Sequence, residues 1–243
     1  LDRILKRMAE QIKSRGGLPF IVPAMGSHGG ATARGQEEVL AGYGITQETT
    51  GAPVRSGMET VQVGISESGL PVCIDKYAVK ADGIVVIGRI NPHTDFHGKV
   101  ESGLMKMMAI GLGKQHGASI CHKRGFKEMP RNILEFGRVI LENTKVLFGV
   151  GIIEDFFHNT YKIEIIPAKD IEGREAQLLL LAKSLIPRIP FAKVDVLAVQ
   201  EIGKNISGAG MDPNVTGRSG QMGISEPFAE SIVVFDITEK SHH

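Results

Sequence analysis

Gly83-Ile84-Val85-Val86-Ile87-Gly88-Arg89-Ile90 runs straight into Asn91-Pro92-His93, so a short apolar stretch ends on a polar loop. Its length and β-branched content predict a strand buried on both faces of a parallel sheet. Upstream, apolar residues at Ile4, Leu5, Met8 and Ile12 make a helical stripe over residues 2–15. Gly16-Gly17 stops that helix before a predicted strand at 18–22. Further expected elements are a helix over 34–43, strands at 59–64 and 70–79, a helix over 130–142 and strands at 144–153 and 160–167. This alternation predicts an α/β class, with a Rossmann-like parallel-sheet domain over residues 1–172.

A helical run over 174–185 is stopped by Pro187 and Pro190. Residues 173–190 are therefore expected to be a hinge helix, and residues 191–243 part of a second α/β domain. That part has predicted strands at 194–199 and 231–237, with a long glycine-rich loop over 203–223. A chain that opens in mid-helix reads as a fragment lacking both ends of a longer protein, its first βα element included.

The 243 residues are 42% hydrophobic and 23% charged, with net charge +1. Without a dense Lys/Arg run, the electrostatic footprint of a nucleic-acid or anionic-membrane binder is missing. No apolar run reaches the roughly 20 residues that a membrane helix needs. Two cysteines, Cys73 and Cys121, make no disulfide framework. The expectation is a cytoplasmic protein that acts on a small molecule.

Histidines gather at predicted strand ends. His28 lies in Pro23-Ala24-Met25-Gly26-Ser27-His28-Gly29-Gly30-Ala31-Thr32, His93 and His97 follow the 83–90 run, and His116 and His122 come next. Ligands of open α/β sheets bind outside the carboxyl ends of strands, so these loops should converge. Gly26, Ser27, Gly29 and Gly30 permit close backbone approach and offer N–H groups to an anion. Lys106, flanked by Met105, Met107 and Met108, is expected to be partly desolvated, which makes its amine nucleophilic. Each residue alone fits a solvated or capping role as well. Imidazole suits several metals equally, so the residues name none.

The 23–32 stretch resembles the glycine-threonine/serine-histidine motif of lactate racemase-like proteins. Asn91-Pro92-His93, with Ser102-Gly103-Leu104-Met105-Lys106, resembles their proline-histidine and serine-glycine-glycine-x-lysine block. The resemblance is strongest over residues 18–125. It implies a nickel-pincer nucleotide, a pyridinium mononucleotide whose sulfur arms hold nickel, tethered to Lys106 and bordered by Gly26, Ser27 and Gly29. It also implies His122 as the nickel ligand, with His116 the nearer alternative, and His28 and His93 as an acid/base pair.

The implied reaction is racemisation or epimerisation of a 2-hydroxy acid or related sugar or polyol acid by hydride abstraction and return. Cofactor-maturation proteins are implied partners, and Lys204 and Glu201 would bind substrate from the second domain. The His93-to-Lys106 spacing is three residues longer than in that family, which keeps His97 open as the catalytic histidine. Two other readings stay open: a hydrolase with a metal held by His28, His93 and His122, and a non-catalytic nucleotide-binding protein of the same fold.

Overall fold

The computed structural model describes residues 1–123, 125–220 and 223–241. In chain order it has α1 (Asp2–Lys13), α2 (Ala33–Gly42), α3 (Gln47–Thr50), β1 (Thr60–Ile65), β2 (Pro71–Asp75), α4 (Lys76–Lys80), β3 (Ile84–Arg89) and α5 (Leu104–Lys106). A π-helical turn, Met107–Gly111, extends α5. Then come α6 (Lys114–His122), α7 (Met129–Asn143), β4 (Val146–Glu154), β5 (Thr160–Pro167), α8 (Ile171–Leu185), β6 (Lys193–Ile202), α9 (Pro213–Thr216), β7 (Arg218–Ser219), β8 (Gly223–Ile224) and β9 (Phe228–Ile237).

The class is α/β, as expected. The sheet that positions the histidine loop has order β3-β4-β5, with β3 parallel to β4 and β5 antiparallel to β4. The antiparallel edge modifies the expected all-parallel arrangement, because Asp155–Asn159 is a short hairpin turn rather than a crossover. Being at the edge also changes β3. Ile84, Val86 and Gly88 are buried while Val85 and Ile87 are only half-buried, and it is central β4 that is buried without alternation from Gly149 to Ile153.

Leu104, Met105 and Met108 join Ile133, Phe136 and Ile140 of α7 and Leu178 and Leu179 of α8 in the main apolar cluster. The chain that carries Lys106 is therefore wedged between two long helices and the sheet.

Two further expectations are revised. The segment 18–22 makes one parallel bridge, Ile21 to Val54, instead of a strand; Pro19 and Pro23 remove the N–H donors that would extend a ladder. The strand expected over 70–79 ends at Asp75, whose Oδ1 accepts the N–H groups of Tyr77 at 2.7 Å and Ala78 at 3.1 Å and so starts α4.

Beyond α8, β6 and β9 form a parallel pair. Between them lie α9 and the β7–β8 hairpin, which give structure to the expected long glycine-rich loop. Asp212 caps α9 through Asn214 N–H at 2.9 Å. Among the described residues no helix is long and apolar enough to cross a membrane.

Phe136 is 1% exposed at the centre of this packing. Phe136→Ala is expected to lower stability by about 3–5 kcal/mol, measured by denaturant unfolding.

Candidate active site

The loop 91–102 leaves the carboxyl end of β3 and returns to it. Asn91 and Ser102 close its neck with paired backbone hydrogen bonds of 3.0 and 3.2 Å. Inside, fully buried Glu101 gathers the loop: Oε2 accepts His93 N–H at 2.7 Å, and Oε1 accepts Gly98 N–H at 3.2 Å and the Lys183 ammonium at 2.6 Å. His97 Nδ1 lies 3.2 Å from the same oxygen, with its ring about half exposed.

His93 points elsewhere. Its ring stacks on Phe96 with centroids 4.1 Å apart, and its Nδ1 accepts Asp95 N–H at 3.0 Å. That bond puts the proton of the neutral ring on Nε2, where it can be donated. Burial, reinforced by the charge of Lys106, brings the His93 value down to about 4, against the opposing pull of Asp95 and Glu101.

Lys106 sits with Nζ 5.8 Å from the centre of the same Phe96 ring. Burial lowers its value to about 8, which Asp95 and the Cys121 thiol partly oppose. His122, the last residue of α6, tilts toward Phe126 and is held below its usual value by partial desolvation and by Lys106. The charge of Lys106 thus lowers both His93 and His122, and His122, like His116, is exposed on α6.

The glycine loop reaches the same region by another route. Gly26 N–H bonds to the Gly111 carbonyl at 3.1 Å, against the turn that follows Lys106. At its far side Gly29 adopts φ +66°, and a Cβ there would meet the Gly35 backbone at 2.5 Å, so the loop presses directly on the start of α2. The His28 imidazole is exposed and makes no hydrogen bond among the described residues. The N–H groups of Gly26, His28, Ala31 and Thr32 are used within the fold, which narrows the expected anion cradle.

What fixes this loop is Lys114, fully buried with φ +53°. Its ammonium donates to the Pro23 carbonyl at 2.5 Å and to Gln36 Oε1 at 3.0 Å, and lies 3.3 Å from Asp75 Oδ2. Gln36 in turn donates to the carbonyls of Gly26 at 2.8 Å and His28 at 3.3 Å.

Neither Lys114 nor Glu101 was singled out in the sequence, because an isolated Lys or Glu carries no local mark of burial. Phe96, three residues past His93 in a chain with few aromatics, was the one partner with a readable signal. From the second part of the chain, exposed Lys204 and Glu201 stay at the end of β6. It is Asn214 that donates to the His93 carbonyl at 3.1 Å, and Ser219 that reaches the Thr94 carbonyl at 3.5 Å.

The family model for the lactate racemase N-terminal domain matches residues 1–132, more than half of the chain. The chain belongs to the lactate racemase N-terminal domain family. His28, His93, Lys106 and His122 all fall inside that match. Among solved structures, the lactate racemase apoprotein from Thermoanaerobacterium thermosaccharolyticum shares the fold with a TM-score of 0.54 at 18% identity. The alignment covers 78% of this family member and 46% of that chain, so the present sequence spans less than half the length of the solved protein. No curated protein matches the sequence.

Two outcomes are expected. Lys114→Met leaves Asp75 buried without its counter-charge and should cost about 3–5 kcal/mol, with Asp75→Asn in the same chain restoring most of the loss in denaturant unfolding. In ¹⁵N-histidine NMR, His93 should titrate near 4 with the proton on Nε2. Because its folded value lies below the ordinary one, its contribution to stability is present above about 6.5 and is lost as pH falls toward about 4.

Proposed function

We propose that this chain carries the catalytic part of a racemase or epimerase of a 2-hydroxy acid or related sugar or polyol acid, working with a nickel-pincer nucleotide. The observation that carries the reading is the placement of Lys106 and His93 against Phe96, with the charge of Lys106 lowering both His93 and His122. A lysine amine brought down to about 8 is partly uncharged near neutral pH and fit for a covalent bond through Nζ. A neutral His122 keeps a lone pair for one metal bond. The donor set therefore fits the group: Lys106 would tether it, His122 would ligate nickel, and Gly26, Ser27 and Gly29 would border the nucleotide.

When bound, the cofactor supplies an acceptor for the hydrogen of the carbinol carbon and returns it to either face. The side chains of the chain manage the proton. His93, holding its proton on Nε2, donates a hydrogen bond to the substrate oxygen, and exposed His28 accepts the hydroxyl proton. A keto acid is thereby held in the site.

A cleft of about 640 Å³ beside the histidine loop is lined by His97, Lys183, Arg188 and Asn214, among others, and its cations would suit a carboxylate. The cleft lies where residues 1–172, the hinge 173–190 and residues 191–243 meet, and closure there would exclude water. Lys204 and Glu201 would join the substrate from the second part on closure. The reading brings with it cofactor-maturation proteins as partners and a cytoplasmic setting.

The hydrolase alternative needs His28, His93 and His122 around one ion. Among the described residues no three His, Cys, Asp or Glu side chains gather in that way, so the geometry favours a single histidine ligand beside a reactive lysine.

Intact-mass spectrometry and nickel analysis of protein co-expressed with the maturation enzymes test the proposal. A covalent adduct with nickel is expected in the wild type and absent from Lys106→Ala; no adduct and no nickel in the wild type refutes it. His93→Asn should keep the adduct and lower kcat about 10²–10⁴-fold on whichever hydroxy acid is turned over.

A further inference from the structure

The turn that bears Lys106 begins without a local cap. Gly103 occupies the N-cap position of α5, and no side chain of its own neighbourhood bonds the first N–H groups. They are met instead by Glu175, 70 residues away on α8, whose Oε2 accepts Met105 N–H at 2.9 Å. Glu175 is fully buried, and its Oε1 has no partner among the described residues. A Cβ at position 103 would overlap that oxygen, so glycine there is what lets the carboxyl approach.

A buried carboxyl is an expensive cap. Ser102 lies next to the turn, and a neutral hydroxyl would satisfy a donor without desolvating a charge. A distant acid in its place achieves something a local cap does not: it links the lysine turn to another element. The same helix bonds the loop at two more points, Glu172 with Lys99 at 2.8 Å and Lys183 with Glu101 at 2.6 Å. α8 is also the last helix before β6.

We propose that Glu175 is the positioning residue of Lys106, holding the turn that aims the lysine and tying its aim to α8. The inference rests on Lys106 being the reactive lysine. Burial raises the Glu175 carboxyl to about 7, opposed by the N–H groups of Met105 and Leu104, with no charged side chain among the influences on it. The titratable groups that face Lys106 itself are Asp95 and the Cys121 thiol, with His93 and His122 sensing it in return. Ionised Glu175 makes charge-assisted bonds to the turn, roughly twice as strong as neutral ones. The aim of Lys106 therefore tightens as pH rises through about 7.

Competitive acetic anhydride labelling of the 243-residue protein, resolved by peptide mass spectrometry from pH 5 to 11, reads Lys106 directly without cofactor. In the wild type the midpoint should lie near about 8, with an inflection near about 7 in its labelling rate. Glu175→Gln keeps the volume and removes the charge. It should abolish the inflection and raise the midpoint by about one pH unit, a tenfold change in the equilibrium. Gly103→Ala displaces the carboxyl from the other side and should act alike.

A folded variant of either kind with lower Tm but unchanged Lys106 titration makes Glu175 a structural cap only and overturns the proposal. Should neither variant fold, amide exchange protection of Met105 in the wild type decides: a step near about 7 supports the proposal and a flat profile ends it. Failure of cofactor loading leaves this titration unaffected, so the two readings fail separately.

Discussion

Glu101 is the constraint on which the histidine loop depends. One buried carboxylate collects a backbone N–H from His93, another from Gly98 and the ammonium of Lys183, while His97 sits beside it. A charge so placed is tolerable only because its oxygens are occupied by donors. Its position in turn fixes where His93 leaves the backbone. The ring then has one face against Phe96 and its Nδ1 committed to Asp95 N–H.

Two other buried ionisable groups repeat the device. Lys114 draws together the glycine loop, α2 and the end of β2, and Glu175 joins α8 to the turn of Lys106. The site is held by polar spokes set into an otherwise apolar cluster. Around it burial lowers Lys106 toward neutral pH and holds His93 and His122 in the uncharged form. The left-handed backbone at Lys114 costs on the order of 1–3 kcal/mol and persists because three partners determine it.

The elements were largely legible. The helices over 34–43, 130–142 and 174–185 and the strand over 160–167 emerged close to their observed bounds, because each has a sustained period and a clear stop signal. The misreadings share a cause. At 18–22 the apolar run outweighed two prolines, at 70–79 a cap at Asp75 was read as strand, and at 83–90 an edge strand was taken for a central one. Edge or centre depends on what β4 and β5 do, and no local pattern carries that information.

By itself, the sequence determined the α/β class and the glycine loop around His28, since these rest on spacing and residue type within short windows, while the choice of His93, Lys106 and His122 rested on the family resemblance. Tertiary structure alone decided which charges hold them. Lys114 meets Gln36 across 78 positions, Glu175 meets Met105 across 70, and Lys183 meets Glu101 across 82. A lone Lys or Glu looks the same in sequence whether solvated or buried. Only chain closure into a low-dielectric interior assigns each its partner, and with the partner its protonation.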